Sequence, residues 1–427
     1  MCSMEMAAAQ PETRLSLFNL NTPEVLANPY PLYTELRSEH PVHWDPLLHT
    51  WVVTRYKDVV TVLRDLSANR SPTPELLESI GLSALSPMAR VMAKQVLFLD
   101  APAHTRIRSL ASAAFTPRRV QALRGHIQEI AGRLLDQVEP TGSMDVIADF
   151  AIPLPAIVTA EMLGVPASDY PQLKKWTEDF MEILANLQHN PNRAARAIKS
   201  VGEMADYFHA AIARLRIHPQ EGLVHSLMTA EIEGDRFTDE EVVANSIIVM
   251  VGGQETTTTL IGNGLLTLLR NPSQLQRLKS DPALMPSAVE ELLRYESPVQ
   301  QTARLAPHDL ELGGKRIRKR QAVVAVLAAA NRDPEIFPDP DRLDLGRQDN
   351  RHVAFGWAAH FCLGAALARV EAQIAFEMLL RRFPRMTLDS TPPKWRCNLD
   401  LRGLESLRVT FGQTAKTSIP CAEGESR

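Results

Sequence analysis

Apolar residues recur at helical spacing through much of the 427-residue chain, and the most extended such run lies between Thr238 and Asn271. Thr238 and Glu241 form a capping box at its start, and Pro272 prevents the helix from continuing. The spacing therefore predicts one helix about 50 Å long, at a rise of about 1.5 Å per residue.

Shorter stretches of helical periodicity cover much of the remaining chain. The predicted helices span residues 28–40, 58–66, 102–115, 120–138, 144–163, 170–187, 193–216 and 285–297. Strands are predicted at residues 51–56, which begin with the bulky β-formers Trp51 and Val52, and at 323–327. Residues 399–412 alternate as a terminal hairpin would. The chain is thus predicted to be mainly α with small β-sheets, an α+β protein.

The middle of the long helix has a composition that helix stability does not require. Gly252 and Gly253 each cost about 1 kcal/mol relative to alanine in a helix. Glu255 follows, and then four consecutive threonines, 256–259. Missing side chains let a large, flat group lie against a helix, and an acid beside a hydroxyl can pass protons. The plain alternative is a kinked core helix.

Cys362 lies between a glycine-containing turn and a strongly helical run, within residues 355–369. A sulfur near a helix N-terminus is expected to favour the thiolate form, because free N–H groups carry partial positive charge. A thiolate among apolar neighbours is a candidate axial ligand for iron, and His360 could donate to an anionic group on the same face. The plain alternative is a buried structural cysteine.

Composition limits the class of protein. A hydrophobic content of 45% and a charged content of 22% are typical of a soluble globular chain. The net charge of −4 and the pI near 6.3 argue against nucleic acid as a partner. The apolar run at 322–330 is too short to span a bilayer, and the N-terminus is polar, so neither an anchor nor a signal peptide is expected.

The domain organisation is predicted to be simple. No linker-like stretch divides the chain, so residues 23–412 are expected to form a single domain, with a flexible N-terminus at 1–22 and a disordered tail at 413–427. The four cysteines form no CxxC pair, which indicates neither a zinc site nor a disulfide framework and fits a reducing cytoplasm.

The cysteine stretch resembles the haem-binding signature of the cytochrome P-450 family, Phe-Gly-x-x-x-His-x-Cys-x-Gly. The matching residues are Phe355, Gly356, His360, Cys362 and Gly364. One position departs, since Ala358 stands where the family usually has glycine. The resemblance implies that Cys362 is the axial thiolate ligand of haem b, iron protoporphyrin IX.

The glycine-rich middle of the long helix is similar to the family's oxygen-activation motif, Ala/Gly-Gly-x-Asp/Glu-Thr. The resemblance implies that Thr256 hydrogen-bonds dioxygen at the haem and that Glu255 connects it to solvent. Gly252 is implied to lie against the haem.

Further matches imply contacts around the cofactor. His104 and Arg108 match a His-x-x-x-Arg contact to the haem propionates, and Arg304, His360 and Phe355 are also implied to contact haem. Glu291 and Arg294 match the family's structural Glu-x-x-Arg pair, and Arg342 the arginine that completes its triad.

The family's fold is a triangular helical prism that holds haem between a long central helix and the cysteine loop. The implied activity is hydroxylation or epoxidation of a largely hydrophobic small molecule, as in the secondary metabolism of macrolides and polyketides. The implied chain is cytoplasmic and monomeric, without membrane attachment. Electrons would come from NAD(P)H through ferredoxin reductase and a ferredoxin, which we expect to dock near Arg106, Arg118 and Arg119.

The substrate pocket is implied to lie beneath the helices at 170–187 and 193–216 and along the segment after residue 298. Its expected residues are Phe180, Ile183, Leu184, Ile248, Val299, Gln300, Thr302 and Leu401. Two other functions stay open. The same oxidant could serve oxidative coupling, cyclisation or desaturation, or the chain could be a haem-thiolate sensor without turnover, although Glu255 and Thr256 argue against a sensor.

Overall fold

The computed structural model describes residues 11–79, 81–185 and 191–412. Its α-helices are α1 (Pro11–Arg14), α2 (Pro23–Ala27), α3 (Tyr30–Glu39), α4 (Tyr56–Asp65), α5 (Pro74–Ser79), α6 (Ser86–Met92), α7 (Ala103–Ala114), α8 (Pro117–Ala122), α9 (Arg124–Val138), α10 (Pro153–Leu163), α11 (Tyr170–Ala185), α12 (Pro191–Ile217), α13 (Leu223–Thr229), α14 (Asp239–Arg270), α15 (Pro272–Ser280), α16 (Met285–Tyr295), α17 (Leu327–Ala330) and α18 (Ala365–Arg382).

The strands are short. They are β1 (Val42–Asp45), β2 (Thr50–Val53), β3 (Ser143–Asp145), β4 (Glu231–Ile232), β5 (Asp235–Arg236), β6 (Thr302–Leu305), β7 (Leu310–Leu312), β8 (Lys315–Ile317), β9 (Ala322–Ala325), β10 (Thr387–Leu388), β11 (Lys394–Trp395), β12 (Leu404–Ser406) and β13 (Arg408–Thr410). The expectation of a mainly helical α+β protein is confirmed.

Helix α14 is the long helix that the sequence predicts, and its capping box is formed. Thr238 Oγ1 accepts from the backbone N–H of Glu241, whose side chain in turn accepts from the N–H of Thr238. The helix is buried along most of its length, because α10, α11, α12, α16 and α18 pack around it. A helix that is apolar on every side belongs in the core.

Two hydrophobic clusters meet α14 at different ends. Ile247 and Met250 belong to a cluster with α11 and α12, whereas Leu260 and Leu265 belong to a cluster with α9, α16 and α18. The glycine and threonine residues at 252–259 lie between these clusters. The unusual middle of the helix therefore coincides with a break between two packed cores.

The largest sheet has four strands in the order β1-β2-β9-β6. β2 and β9 are parallel, with Trp51 opposite Val323, and β6 runs antiparallel to β9, with Arg304 also opposite Val323. β1 was not predicted from the sequence. The sheet holds β6 and the residues before it at one edge of the helical core.

The predicted terminal hairpin at 399–412 is wrong. β12 pairs with β11, and β13 pairs with β10 and β3, because the chain crosses from one small sheet to another between residues 406 and 408. Alternation alone does not specify which strand is the partner.

The boundary expected for a flexible N-terminus is also wrong for residues 15–21. Leu17 is completely buried, and Asp45 accepts hydrogen bonds from the hydroxyl of Ser16 and the N–H of Leu17. These contacts fasten the segment to β1. Residues 1–10 and the predicted tail at 413–427 lie outside the described residues, and the single-domain organisation stays a prediction.

The helical stretch Val146–Leu163 is long and apolar enough to cross a membrane, and 67% of it is buried within the protein. Core helices of soluble proteins have the same composition and are buried in the same way. The stretch is weak evidence for a membrane span.

Candidate functional site

The loop that carries Cys362 is shaped by two residues with positive φ. Gly356 has φ of 74°, and Ala358 has φ of 55° and begins a 3₁₀ turn that ends at His360. The N–H of Cys362 donates to the carbonyl of Phe355 at 2.9 Å, which closes the loop just before α18 begins. The backbone thereby fixes where the sulfur lies.

Cys362 is deep in the protein and nevertheless accessible. Burial raises the pKa of its thiol, and the N–H groups of Gly364 and Ala365 and the charge of Arg108 lower it by less. The side chain is still exposed, so it faces a cleft inside the protein. The N–H groups at the helix start lower the pKa of the thiol, as expected, but burial raises it by more in the protein alone. A coordinated metal would deprotonate the thiol.

Helix α14 has open space beside one of its two central glycines. Gly252 is exposed, and a side chain there would meet no atom outside the helix backbone within 4 Å. A side chain at Gly253 would stand 2.8 Å from the hydroxyl of Thr159 in α10. The first glycine leaves room beside the helix, whereas the second allows α10 to pack closely. Leu363, next to Cys362, packs on the same cluster as Ile248 of α14.

Cationic and polar donors from distant segments converge on the cleft. The rings of His104 and His360 are 4.1 Å apart, and Arg108 Nη2 donates to the carbonyl of Phe361 at 2.7 Å. Arg304 is buried and bonds Thr302 and the carbonyl of Ala303, yet its Nε, like Nε2 of His104, has no partner among the described residues. A buried guanidinium N–H without an acceptor, among neighbouring cations, favours an anion at this place.

Arg70 joins this group and was missed by the sequence analysis. Burial and the charge of Arg70 lower the pKa of Arg304 to about 10. Burial also lowers the pKa of His360 to about 4, with contributions from His104, Arg304 and, to a smaller extent, Arg70. Arg70 forms no ion pair within the part of the chain that the structure describes. No motif marks this residue in the sequence.

Glu255 has a partner that the sequence did not reveal. Its Oε2 lies 2.7 Å from Nη1 of Arg396, the residue after β11, and the arginine side chain is 30% exposed. Burial raises the pKa of Glu255, and Arg396 opposes that rise. The hydroxyl of Thr256, one residue further on, donates to the carbonyl of Gly252 at 2.7 Å. Neighbouring residues of α14 thus carry a buried acid paired with a partly exposed arginine and a hydroxyl bonded within the helix.

The structural triad is formed by a different arginine from the one predicted. Glu291 makes two bonds of 2.8 Å to Arg294, and both side chains are completely buried. Arg347 completes the group, 3.1 Å from Glu291, whereas Arg342 is 68% exposed and pairs with Asp344. The assignment of Arg342 is wrong, because the chain turns after residue 344 and brings Arg347 to the buried acid.

Two of the expected pocket residues do not face the cleft. Phe180 is completely buried in a hydrophobic cluster, and the amide of Gln300 is bonded to Tyr33 and to the carbonyl of Ser297. Leu401 is buried beside Val299, with which it forms a β-bridge.

Ile248, Val299 and Thr302 are partly buried, and their contact with substrate stays a prediction. The side chains of Ile183 and Leu184 lie outside the described residues.

The basic patch expected to dock ferredoxin has less unpaired positive charge than the sequence indicates. Arg106 forms ion pairs with Asp235, at 3.2 Å, and with Glu241, so its charge is already neutralised within the chain. Arg119 bonds the hydroxyl of Ser226, and the side chain of Arg118 lies outside the described residues.

Haem fits this arrangement. Cys362 supplies a sulfur ligand in the cleft, Gly252 leaves space for a flat ring, and the donors of His104, Arg108 and Arg304 suit the ring's carboxylates. These residues come from α7, α14, β6 and the loop before α18.

Comparison with known proteins places the site in context. A family model described as Cytochrome P450 matches residues 49–399. The chain is 40% identical over 391 residues to the biotin biosynthesis cytochrome P450 of Bacillus subtilis (strain 168), covering 91% of this chain and 97% of that relative. It is 37% identical over 407 residues to the polyketide biosynthesis cytochrome P450 PksS of the same organism, covering 93% and 99%. The solved structure of P450BioI with acyl carrier protein ligated to hexadec-9Z-enoic acid matches with a TM-score of 0.85 and 38% identity, over 91% of this chain and 100% of that chain.

Proposed function

The chain belongs to the cytochrome P450 family, and on that premise we propose that this monooxygenase hydroxylates or epoxidises a largely hydrophobic small molecule in bacterial secondary metabolism. The observation that carries the proposal is Cys362, a deep and yet accessible thiol on a closed loop just before α18. The names of the biotin and polyketide relatives support a biosynthetic role.

Each residue at the cleft has a role in this proposal. Cys362 holds the iron of haem, and His104, Arg108 and Arg304 hold its carboxylates. Haem bound there supplies the reductive activation of dioxygen, which consumes two electrons and two protons and leaves one oxygen atom as water. The hydroxyl of Thr256, which donates to the carbonyl of Gly252 in the structure, would turn to hydrogen-bond the oxygen substrate, and Glu255 would move protons to it from solvent.

The electrons come from a separate protein in this proposal, from NAD(P)H through a ferredoxin reductase and a ferredoxin. Since Arg106 is paired with acids of its own chain, we place less of the docking surface there. We further propose that the protein works as a cytoplasmic monomer.

The pair of Glu255 with Arg396 favours an enzyme over a sensor. A buried acid that reaches a partly exposed cation can exchange protons with solvent, which turnover needs and which ligand sensing does not. Coupling, cyclisation and desaturation use the same residues, and product analysis distinguishes them from oxygen insertion.

The proposal is tested first by spectroscopy. The purified haem protein, reduced under carbon monoxide, should give the long-wavelength band of thiolate-bound haem. Cys362→Ser should lose this band, and Cys397→Ser, which changes another exposed cysteine, should keep it. A normal band in Cys362→Ser would refute the ligand assignment.

A second experiment tests the oxygen-activation residues. Thr256→Ala should still bind haem and consume NADPH with a ferredoxin system, but should divert electrons to hydrogen peroxide at the expense of product. Thr258→Ala is the control, because the hydroxyl of Thr258 bonds the carbonyl of Ala151 instead. Undiminished coupling in Thr256→Ala would remove Thr256 from the mechanism.

A further inference from the structure

The surface at the turn between β1 and β2 carries exposed apolar side chains. Trp44 of β1 is 37% exposed, and Leu47, in the turn itself, is 44% exposed. Phe18 is 40% exposed and follows Leu17, whose N–H donates to the side chain of Asp45 at the end of β1. Large apolar side chains are thus exposed near one turn of the sheet, where their contact with water is unfavourable.

Side-chain contacts join this turn to the segment that follows β8. The rings of Trp44 and Trp51 are 5.4 Å apart, and Nε1 of Trp51 donates to Oε1 of Gln321 at 2.9 Å. The same oxygen of Gln321 accepts from the N–H of Arg318 at 2.7 Å. The exposed tryptophan and the backbone of Arg318 are therefore linked through two intervening residues.

The hairpin of β7 and β8 and the segment after it concentrate positive charge. Residues 309–320 contain five basic and two acidic residues, which give a net charge of +3 in a chain whose net charge is −4. The basic residues are all exposed: Lys315, Arg316, Arg318, Lys319 and Arg320. Arg316 pairs with Asp309 at 3.1 Å, whereas the other four form no ion pair in the part of the chain that the structure describes.

The basic hairpin lies directly beside the apolar turn. A Cβ at Gly313 would stand 2.6 Å from the side chain of Val42, at the start of β1. Burial lowers the pKa of His43, the next residue along β1, and the charge of Lys315 contributes to that lowering. Unpaired cations and exposed apolar side chains therefore share one surface. This hairpin face consists of Trp44, Leu47, Lys315 and residues 318–320.

We propose that the hairpin face binds the surface of a lipid bilayer that contains anionic lipids. Lysine and arginine are attracted to anionic headgroups, and a tryptophan and a leucine beside them can enter the headgroup region. Binding of this kind is peripheral and needs no spanning helix. It adds a membrane contact to a protein that the sequence predicts to have none, and it does not depend on the reaction at Cys362.

Two other occupants fit the hairpin face less well. A second copy of the chain is disfavoured, because a symmetric interface would bring the same cations together. An acidic protein would attract the cations, but it would also need a groove to receive the apolar side chain of Leu47, which stands on an exposed turn. A headgroup layer can accept such a turn without a groove. The combination of cations with an exposed apolar turn therefore favours lipid.

Flotation of the haem-loaded protein with vesicles tests the cations. The wild type should bind vesicles of phosphatidylcholine mixed equally with phosphatidylglycerol, should bind pure phosphatidylcholine weakly, and should be released by salt. A triple variant with Arg318→Gln, Lys319→Gln and Arg320→Gln should bind the mixed vesicles about a hundredfold less tightly.

The matched control is a triple variant that removes the same charge from exposed residues elsewhere: Arg270→Gln, Arg381→Gln and Arg385→Gln. It should bind the mixed vesicles as the wild type does. The band of carbon monoxide on thiolate-bound haem reports whether each variant is folded.

A second variant tests the apolar part of the hairpin face. Leu47→Ser should weaken binding to the mixed vesicles by about tenfold, because the leucine side chain no longer enters the headgroup region. Leu76→Ser in α5 is the control, since Leu76 is also 44% exposed and lies outside the hairpin face. Equal affinities of Leu47→Ser and the wild type would exclude insertion of the turn.

Three results with folded protein would overturn the proposal. One is a wild type that does not float with the mixed vesicles at low salt. Another is an equal loss of binding in the two triple variants, which would show that net charge and not the hairpin face is responsible. The third is binding of the wild type to immobilised polyglutamate but not to the mixed vesicles, which would assign the face to an acidic protein.

Discussion

Glu255 shows how a single buried carboxylate is kept usable. Its surroundings favour the neutral acid, because burial raises its pKa, and the guanidinium of Arg396 at 2.7 Å works against that rise. Lys174 also lowers the pKa of Glu255, and Glu178 raises it. The acid is thus buried and connected to charges of α11 and of the residue after β11.

Replacing Arg396 should impair proton delivery. In Arg396→Gln the pKa of Glu255 rises further, so the acidic limb of the pH–rate profile should move to higher pH if the carboxylate form is required. We expect product formation at neutral pH to fall about tenfold, below the 10²–10⁴-fold often attributed to a general acid or base. Product and NADPH consumption measured against pH check this.

Lys394→Gln is the control for this change, since Lys394 is 76% exposed and pairs with Glu405 in the neighbouring strand. An Arg396→Gln enzyme with the wild-type pH profile would show that the ion pair is purely structural.

Ala358 is strained where it stands. Its φ of 55° is in the left-handed region, which costs a residue with a Cβ about 1–2 kcal/mol. Ala358→Gly should therefore raise the free energy of unfolding of the haem protein by about 1 kcal/mol, after the entropy that glycine adds to the unfolded chain. Urea denaturation measures the change.

The matched control is Ala359→Gly in the same 3₁₀ turn, because Ala359 is not among the residues with positive φ. This variant should lose about 0.5–1 kcal/mol. If both substitutions destabilise the protein equally, the loop does not store strain at residue 358.

At the scale of elements, α16 holds the cysteine loop through two adjacent acids. Glu290 accepts from Arg369 of α18 at 2.6 and 2.8 Å and lies 3.1 Å from His352. Arg369 also stands 4.5 Å over the ring of Phe355. The acid therefore joins both flanks of the loop that carries Cys362.

Removing the charge of Glu290 should destabilise this junction in a pH-dependent way. Its pKa is lowered from 4.5 to about 2, despite burial, by Arg369 and His352. A lowered pKa contributes stability above pH 4.5 that is lost as the pH falls towards 2. Glu290→Gln should be less stable by about 2 kcal/mol at neutral pH, allowing for partial exposure.

The difference between Glu290→Gln and the wild type should shrink as the pH falls below 4.5. Thermal unfolding across that range measures it, and Glu405→Gln, an exposed acid, serves as the control. A difference that is constant with pH would exclude the ion pair as its source.

The second acid distinguishes two arginines. Arg347 contacts completely buried Glu291, whereas Arg342 is exposed. Arg347→Ala should cost about 3 kcal/mol or prevent haem incorporation, because it leaves a buried charge short of a partner. Arg342→Ala should cost less than about 0.5 kcal/mol. Yield of haem protein and urea unfolding compare the two, and equal losses would contradict the triad seen here.

For the whole molecule, two arginines gather positive charge that Asp100 and Asp400 offset without forming an ion pair among the described residues. Arg70 and Arg304 lie close enough for the charge of Arg70 to lower the pKa of Arg304, and neither forms an ion pair among the described residues. An anionic cofactor that also binds the sulfur of Cys362 would neutralise part of this charge and link the elements that carry these residues.

Removal of haem should consequently weaken the entire fold. A ligand at about 100 times its dissociation constant adds about 2.7 kcal/mol to the free energy of unfolding. The melting temperature of the haem-depleted protein should be lower by several degrees and should recover when haem is added back. Identical melting curves with and without haem would contradict this expectation.

Much of the architecture follows from local sequence. α14 runs from Asp239 to Arg270, within the predicted span, because its cap and apolar run involve neighbouring residues. Cys362 and Gly252 were found because the residues around them match motifs of the family. Arg70, Arg347 and Arg396 were not, since no periodicity or motif connects each of them to the group it influences.

The amino-acid sequence determined the helices, the position of the loop that carries Cys362 and the family, because these depend on residues a few positions apart. The tertiary structure decided which charges meet, as with Glu255 and Arg396, which are 141 residues apart. It also decided that Phe180 belongs to the core and that Arg347, not Arg342, reaches Glu291. The physical reason is that burial and ion pairing depend on distance in space, and adjacency along the chain does not specify that distance.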